Sequence, residues 1–327
     1  MQVNMAGYQG SVSSELPFFS ISDKEFNALF GRWSDRRDNL DLYDLFSNPD
    51  KFDECDPDLM LTTPCSEYYS VHSFNKLLIL TRKLSRFFTV IIITSLSKNL
   101  NLFEELLCSL DSKLDILGIT ETQLSEKSLS NVNIKGYNFF HTDSLTNAGG
   151  AALYIANNLK AIPIPDIKFD LELVESCWVQ IDAGKNNKTL IIGCINKHPT
   201  CNLEQFRNQL SNIIKILNPN SHEIYIFGDI NIDFLKYNEH SQTEEFLDML
   251  FANNVLPIIT KPTRLTDHTA TLIDHIYTNS LQKFTAGIVT VDITDHLPIF
   301  GVIETQPPRN KNKRYFRDYS KFKNELF

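Results

Sequence analysis

The chain has 327 residues, 42% hydrophobic and 22% charged, which is an ordinary globular balance with room for one large domain plus an appendage, or for two domains. Its net charge of −9 argues against a broad basic face that coats nucleic acid, but not against a local grip on a phosphate through a metal ion. No apolar run approaches the roughly 20 residues of a bilayer span. The opening MQVNMAGYQGSVSS lacks the features of a secretion signal. Cys55, Cys65, Cys108, Cys177, Cys194 and Cys201 form no CxxC pair, which points to free thiols in a reducing compartment. Together these features predict an intracellular protein of the nucleus or cytoplasm, not secreted and not membrane-bound.

Residues 1–75 have no sustained periodicity and an acidic cluster between Asp50 and Asp58. They read as a loosely ordered leader with one short helix near Asp23 to Trp33, and the cluster as a solvated loop. A chain started near Ser73 is therefore expected to keep its melting temperature. Residues 76–305 read as the folded domain. FFTVIII (Phe87 to Ile93) is strand-sized, and NLNLFEELLCSL sets Leu102, Phe103, Leu106, Leu107 and Leu110 on one helical face. LDILGIT is a buried strand running into Glu121, followed by strands in GGAALYIA, CWVQIDA and TLIIGCI. Leu203, Phe206, Leu210, Ile213, Ile214 and Leu217 mark a second amphipathic helix. IYIFGDIN is a strand ending at a glycine; continued, it would put Asp229 and Asn231 on one side. A helix begun by Thr243, with Glu244 and Glu245 in its first turn, precedes the last strands in TLIDHIYT and GIVTVDITDHLPIFGVI. Residues 306–327 are a polar, basic linker tail.

Helices alternate with hairpin-like strand pairs, which favours a sandwich of two sheets flanked by helices over a doubly wound parallel sheet. Apolar strands lead repeatedly into polar groups: Glu121, Asp229 with Asn231, Asp274 with His275, and Asp295 with His296. Any one of these is explained by a wet strand end. The recurrence points to one shared cleft.

ITET, FGDIN, TLIDHI and TDHLPIF, in that order, resemble the motifs of the endonuclease/exonuclease/phosphatase superfamily. More narrowly, SLSKNLNLFEELL, GITETQL, GGAALYI, GDINIDFL, ITKPTRLT and ATLIDHIYTN resemble the apurinic-type endonuclease domain of non-LTR retrotransposons of the jockey and chicken-repeat-like groups. The resemblance runs from about Thr89 to Ile303, and YYSVHSFNKLL and YFRDYSKFKNELF on either side look like the same polyprotein. It implies an α/β four-layered sandwich of two mixed sheets flanked by helices, which nicks DNA with Mg²⁺ or Mn²⁺; the sequence makes no obligate protein partner evident. By motif, Glu121 would be a metal ligand and Asp295 would sit near the metal. Asp229 would position or deprotonate the attacking water, and Asn231 would steady phosphate oxygens. His296, oriented by Asp274, would bond the phosphate.

Two positions depart from that pattern. Ile92 falls where the family has an asparagine, and Asn196 where it has a tyrosine aimed at the phosphate. Each loss removes a transition-state contact of the kind worth about 10²- to 10³-fold in rate. A weakened enzyme is thus expected, with a catalytically dead domain, retained for nucleic-acid binding or as a decayed element fragment, as the alternative. A hydrolase of the same superfold acting on inositol phosphates or sphingolipids is a third reading. Restoring asparagine at 92 and tyrosine at 196 is expected to raise nicking by at least about 10²-fold.

Overall fold

The computed structural model describes residues 66–304, apart from 84–86, 95, 125–131, 145, 147–148, 183–188 and 281–283. The expected helix near Asp23, the acidic cluster and the basic tail lie outside the described residues. In chain order the elements are β1 (Glu67–Ser70), α1 (Val71–Lys83), β2 (Phe87–Thr94), α2 (Leu96–Ser109), β3 (Ile116–Thr120), β4 (Tyr137–Thr142), β5 (Ala151–Ala156), β6 (Ala161–Pro163) and β7 (Val174–Ile181). They continue with β8 (Thr189–Lys197), α3 (Leu203–Ile216), β9 (His222–Asp229), α4 (Ser241–Ala252), β10 (Leu256–Pro257), β11 (Arg264–Leu265), β12 (Ala270–Thr271), β13 (Asp274–Thr278), β14 (Phe284–Thr290) and β15 (Ile299–Glu304).

The strands form a seven-stranded sheet in the order β1-β14-β15-β2-β3-β5-β4 and a six-stranded sheet in the order β10-β13-β9-β8-β7-β6, with β11 and β12 as a separate hairpin. Both large sheets are mixed: β2–β3 and β8–β9 run parallel, and most other pairs antiparallel. Alternation along β3 explains the layering. Ile116 faces the core shared with the second sheet, while Leu117 and Ile119 turn to the helix side. There Phe74 and Leu78 of α1 and Phe103 and Leu106 of α2 complete the outer layer. On the far side Phe206 and Leu210 of α3 and Phe246 and Leu250 of α4 cover the second sheet, with the Phe206 and Phe246 rings stacked at 5.8 Å. The result is a four-layered α/β sandwich. The two sheets approach closely at Gly118, where a Cβ would come within 2.3 Å of the Phe227 ring of β9. Among the described residues no helix is long and apolar enough to cross a membrane.

Three boundaries differ from the sequence expectation. Residues 66–75 belong to the fold: β1 pairs in parallel with β14, and Phe74 is buried in the core. The Ser66 and Thr260 side chains bond each other and each other's backbone N–H, and the Tyr68 hydroxyl donates to Pro262 O. A short edge strand of four residues with polar neighbours leaves too little periodicity to be seen. α4 starts at Ser241 rather than Thr243; the His240 carbonyl takes the first helical N–H groups, and Thr243 is buried inside the first turn. Finally, β9 ends at Asp229 and β13 begins at Asp274, so the strand does not continue through Asn231 and TLID is not a strand end. Both large sheets place their polar strand termini toward the same rim.

Candidate active site

The site is organised by register. β7, β8, β9 and β13 lie side by side, and their partners run Glu175–Asn196, Asn196–Asp229, Asp229–Asp274. Residues paired across strands project from the same face, so these side chains form one polar row across the end of the six-stranded sheet. Gly228 makes the row possible. It has φ +143°, and a Cβ there would come within 1.9 Å of Ile195 O, so only glycine lets β9 lie against β8 just before Asp229.

Asp229, Asp274 and His296 are buried, and their ligand atoms lie within 4.8 Å of one another. His296 comes from the loop between β14 and β15; its Nδ1 donates to both oxygens of Asp274, at 2.9 and 3.1 Å. The Thr263 hydroxyl donates to Asp274 Oδ2 at 2.6 Å and accepts from the Asp274 N–H, clamping the carboxylate. Burial alone would raise Asp274, but the His296 charge and these two hydrogen bonds override it and hold the group below its usual range. Burial would likewise lower His296, yet Asp274, Asp229 and Asp295 around it push it up to about 9, so the pair is ionic at neutral pH. Among the described residues no cation is hydrogen-bonded to Asp229, one strand over. Burial and the charge of Asp274 push it up to about 8, with His296 offsetting part of the rise.

Glu121 follows β3 directly, at φ +49°. Burial raises its carboxyl, opposed by His296 and Arg264 and reinforced by Asp274 and Asp295, which places it within electrostatic reach of all four. Asp295 is half exposed and ion-paired to Arg264 at 2.7 Å. Asn231, at φ +50°, donates its backbone N–H to Asp229 Oδ1 at 3.1 Å and its side-chain amide to Lys197 O at 2.8 Å. The turn after β9 therefore reorients Asn231 and hooks it over the end of β8. All six expected residues thus sit around one rim, with Asp229, Asp274 and His296 in the compact centre and Glu121, Asn231 and Asp295 around it.

The two departures fare differently. Ile92 pairs in register with Gly118 and Ile299, which places its backbone in the neighbouring sheet; its side chain lies outside the described residues. Asn196 is buried and donates to Glu175 Oε2 at 3.1 Å. Its amide is not a shortened tyrosine reaching for a phosphate but half of a buried pair. Glu175 and Thr263 were missed from sequence. A lone carboxylate in the apolar strand VESCWVQI was the available signal for Glu175, and its place in ITKPTRLT was the signal for Thr263.

An oxygen-rich donor set suits a hard divalent ion, and burial, reinforced by the neighbouring carboxylates, pushes Asp229 and Glu121 up, a cost that a bound cation would offset. Glu121, Asp295 and the central carboxylates therefore fit such an ion. Cys108, Cys177, Cys194 and Cys201 are free thiols elsewhere in the fold; burial pushes Cys177 up to about 12, so it is inert at neutral pH.

A four-layered sandwich with a carboxylate–histidine cluster at the strand rim defines a class of phosphate-ester hydrolases. The endonuclease/exonuclease/phosphatase family profile matches residues 94–296, and the chain belongs to that family. Among solved structures it is similar to the endonuclease domain of TRAS1, a telomere-specific non-LTR retrotransposon (14% identity, TM-score 0.54, covering 68% of this chain and 100% of that one). It is also similar to the AP endonuclease LMAP from Leishmania major (11% identity, TM-score 0.54, covering 68% and 89%) and to the Xenopus laevis APE2 catalytic domain (16%, 0.50, covering 67% and 93%). At these identities the likeness is one of fold. No curated protein matches the chain in sequence.

Proposed function

We propose that this chain is a divalent-metal-dependent phosphodiesterase of the retrotransposon-endonuclease type that nicks DNA, acting in the nucleus or cytoplasm. The observation that carries the proposal is the buried triad of Asp229, Asp274 and His296 within 4.8 Å. Asp274 takes the Nδ1 proton of His296 in its hydrogen bonds, which leaves Nε2–H of a charged imidazolium to donate to a phosphate oxygen. Asp229, pushed up to about 8 in the metal-free site, would once ionised take the proton of an attacking water. Asn231 is fixed beside it through Lys197 O, where its amide can steady a phosphate oxygen. Glu121 and Asp295 would hold Mg²⁺ or Mn²⁺, which when bound supplies Lewis-acid polarisation of the phosphoryl group. The retrotransposon assignment rests on the sequence motifs and goes with the fold likeness to the TRAS1 domain.

A second reading, a catalytically dead nucleic-acid-binding domain, is favoured by Asn196, whose amide is committed to Glu175 where the family's tyrosine would face substrate. Supercoiled-plasmid nicking in Mg²⁺, against Asp229→Ala, decides between them. Metal-dependent nicking that the substitution abolishes supports the enzyme. Binding of DNA without any nicking by the unmodified chain supports the second reading.

A further inference from the structure

Arg264 lies in the ITKPTRLT motif, at the root of the β11–β12 hairpin, and none of the roles above uses it. Its backbone is fixed against the His296 loop: Arg264 bridges His296, Leu265 N donates to Asp295 O at 3.3 Å, and Leu297 N donates to Thr263 O at 2.7 Å. Thr263, one residue earlier, clamps Asp274. Arg264 is therefore held to the site from both sides. Its side chain is 43% exposed, and its Nε and Nη2 both lie 2.7 Å from the same oxygen, Asp295 Oδ2. That bidentate edge aims the planar fork and turns the Nη1 side away from Asp295. Among the described groups acting on Glu121, the cations are His296 and Arg264.

An acidic rim that must accept a polyanion needs such a group. We propose that Arg264 is a phosphate-binding residue, held in aim by Asp295, that grips a non-bridging oxygen of a DNA phosphate at the mouth of the site. The proposal rests on the phosphodiesterase reading above. An arginine suits the task because its fork can bond a carboxylate with one edge and a phosphate with the other, which a lysine ammonium does through a single point.

The test is fluorescence anisotropy of a labelled DNA duplex in Mg²⁺, with Asp229→Ala as the background that keeps the duplex intact. Adding Arg264→Gln should weaken Kd by roughly 10- to 100-fold and reduce the slope of log affinity against log salt by about one. Arg264→Lys should keep the slope while losing part of the affinity. Unchanged affinity and slope in a folded Arg264→Gln chain would overturn the proposal. Failure of the background chain itself to bind DNA would remove the phosphodiesterase reading, and this inference with it.

Discussion

Asp229→Asn should abolish nicking and yet make the metal-free protein more stable. The carboxyl stands at about 8, against 3.8 for the unperturbed group. A raised acid takes up a proton on folding, so its contribution is undiminished below about 3.8 and is lost progressively as pH rises toward about 8. At pH 7 the chain keeps this proton when folded and loses it when unfolded, a difference of about 4 kcal/mol. Asparagine has no proton to lose, and its Oδ1 can still accept the Asn231 N–H. Part of the gain is returned, since the new NH₂ needs a buried acceptor. A net stabilisation of about 2 kcal/mol at pH 7 is expected, or a Tm higher by about 5 °C. The assay is thermal and urea unfolding in EDTA from pH 4 to pH 9. The advantage should vanish toward acid and level off above about 8. Adding Mg²⁺ should raise the Tm of the unmodified chain more than that of the variant, because the ion neutralises the cost that asparagine removes. A variant that is no more stable, or whose advantage does not change with pH, would refute the placement of a strained carboxyl at the centre of this site.

Nicking should follow a bell in pH. It rises as Asp229 ionises, at a value metal moves below its metal-free position of about 8, and falls as His296 loses its proton near 9; a flat profile from pH 6 to pH 10 would contradict both roles. Asn196→Tyr, which sequence comparison alone would offer as a restoration, should instead destabilise by about 2–3 kcal/mol in urea, because the ring overfills a buried position and the amide bond to Glu175 Oε2 is lost. A chain beginning at Ser73 loses β1, the Ser66–Thr260 bonds and the Tyr68 hydroxyl contact. Its Tm should drop by several degrees, about 2 kcal/mol or more, and an unchanged melt would show that β1 is dispensable.

The amphipathic helices and apolar strands were legible locally because burial acts on side-chain periodicity, which is a property of neighbours in sequence. Phe103 and Leu106 in α2, Phe206 and Leu210 in α3, and the uniformly buried ILGIT of β3 all follow from it. The residue types of the site were legible for a related reason: Glu121, Asp229, Asp274 and His296 interrupt apolar runs where an unpartnered polar group would be costly. The shared cleft and the pairing of His296 with Asp274 were expected from the recurring strand ends and the motifs, but the register that builds them was not. Whether Asp229 meets Asp274 depends on an antiparallel register between strands more than forty residues apart in sequence, and register is a pairing across space. The same register drew Glu175 and Asn196 into the row, and the long-range hydrogen bond from Thr263 finished the clamp. Which of two similar carboxylates keeps its proton was likewise decided only in three dimensions. His296 reaches Asp274 and not Asp229, and in a buried site a contact of 2.9 Å is enough to send the two groups in opposite directions.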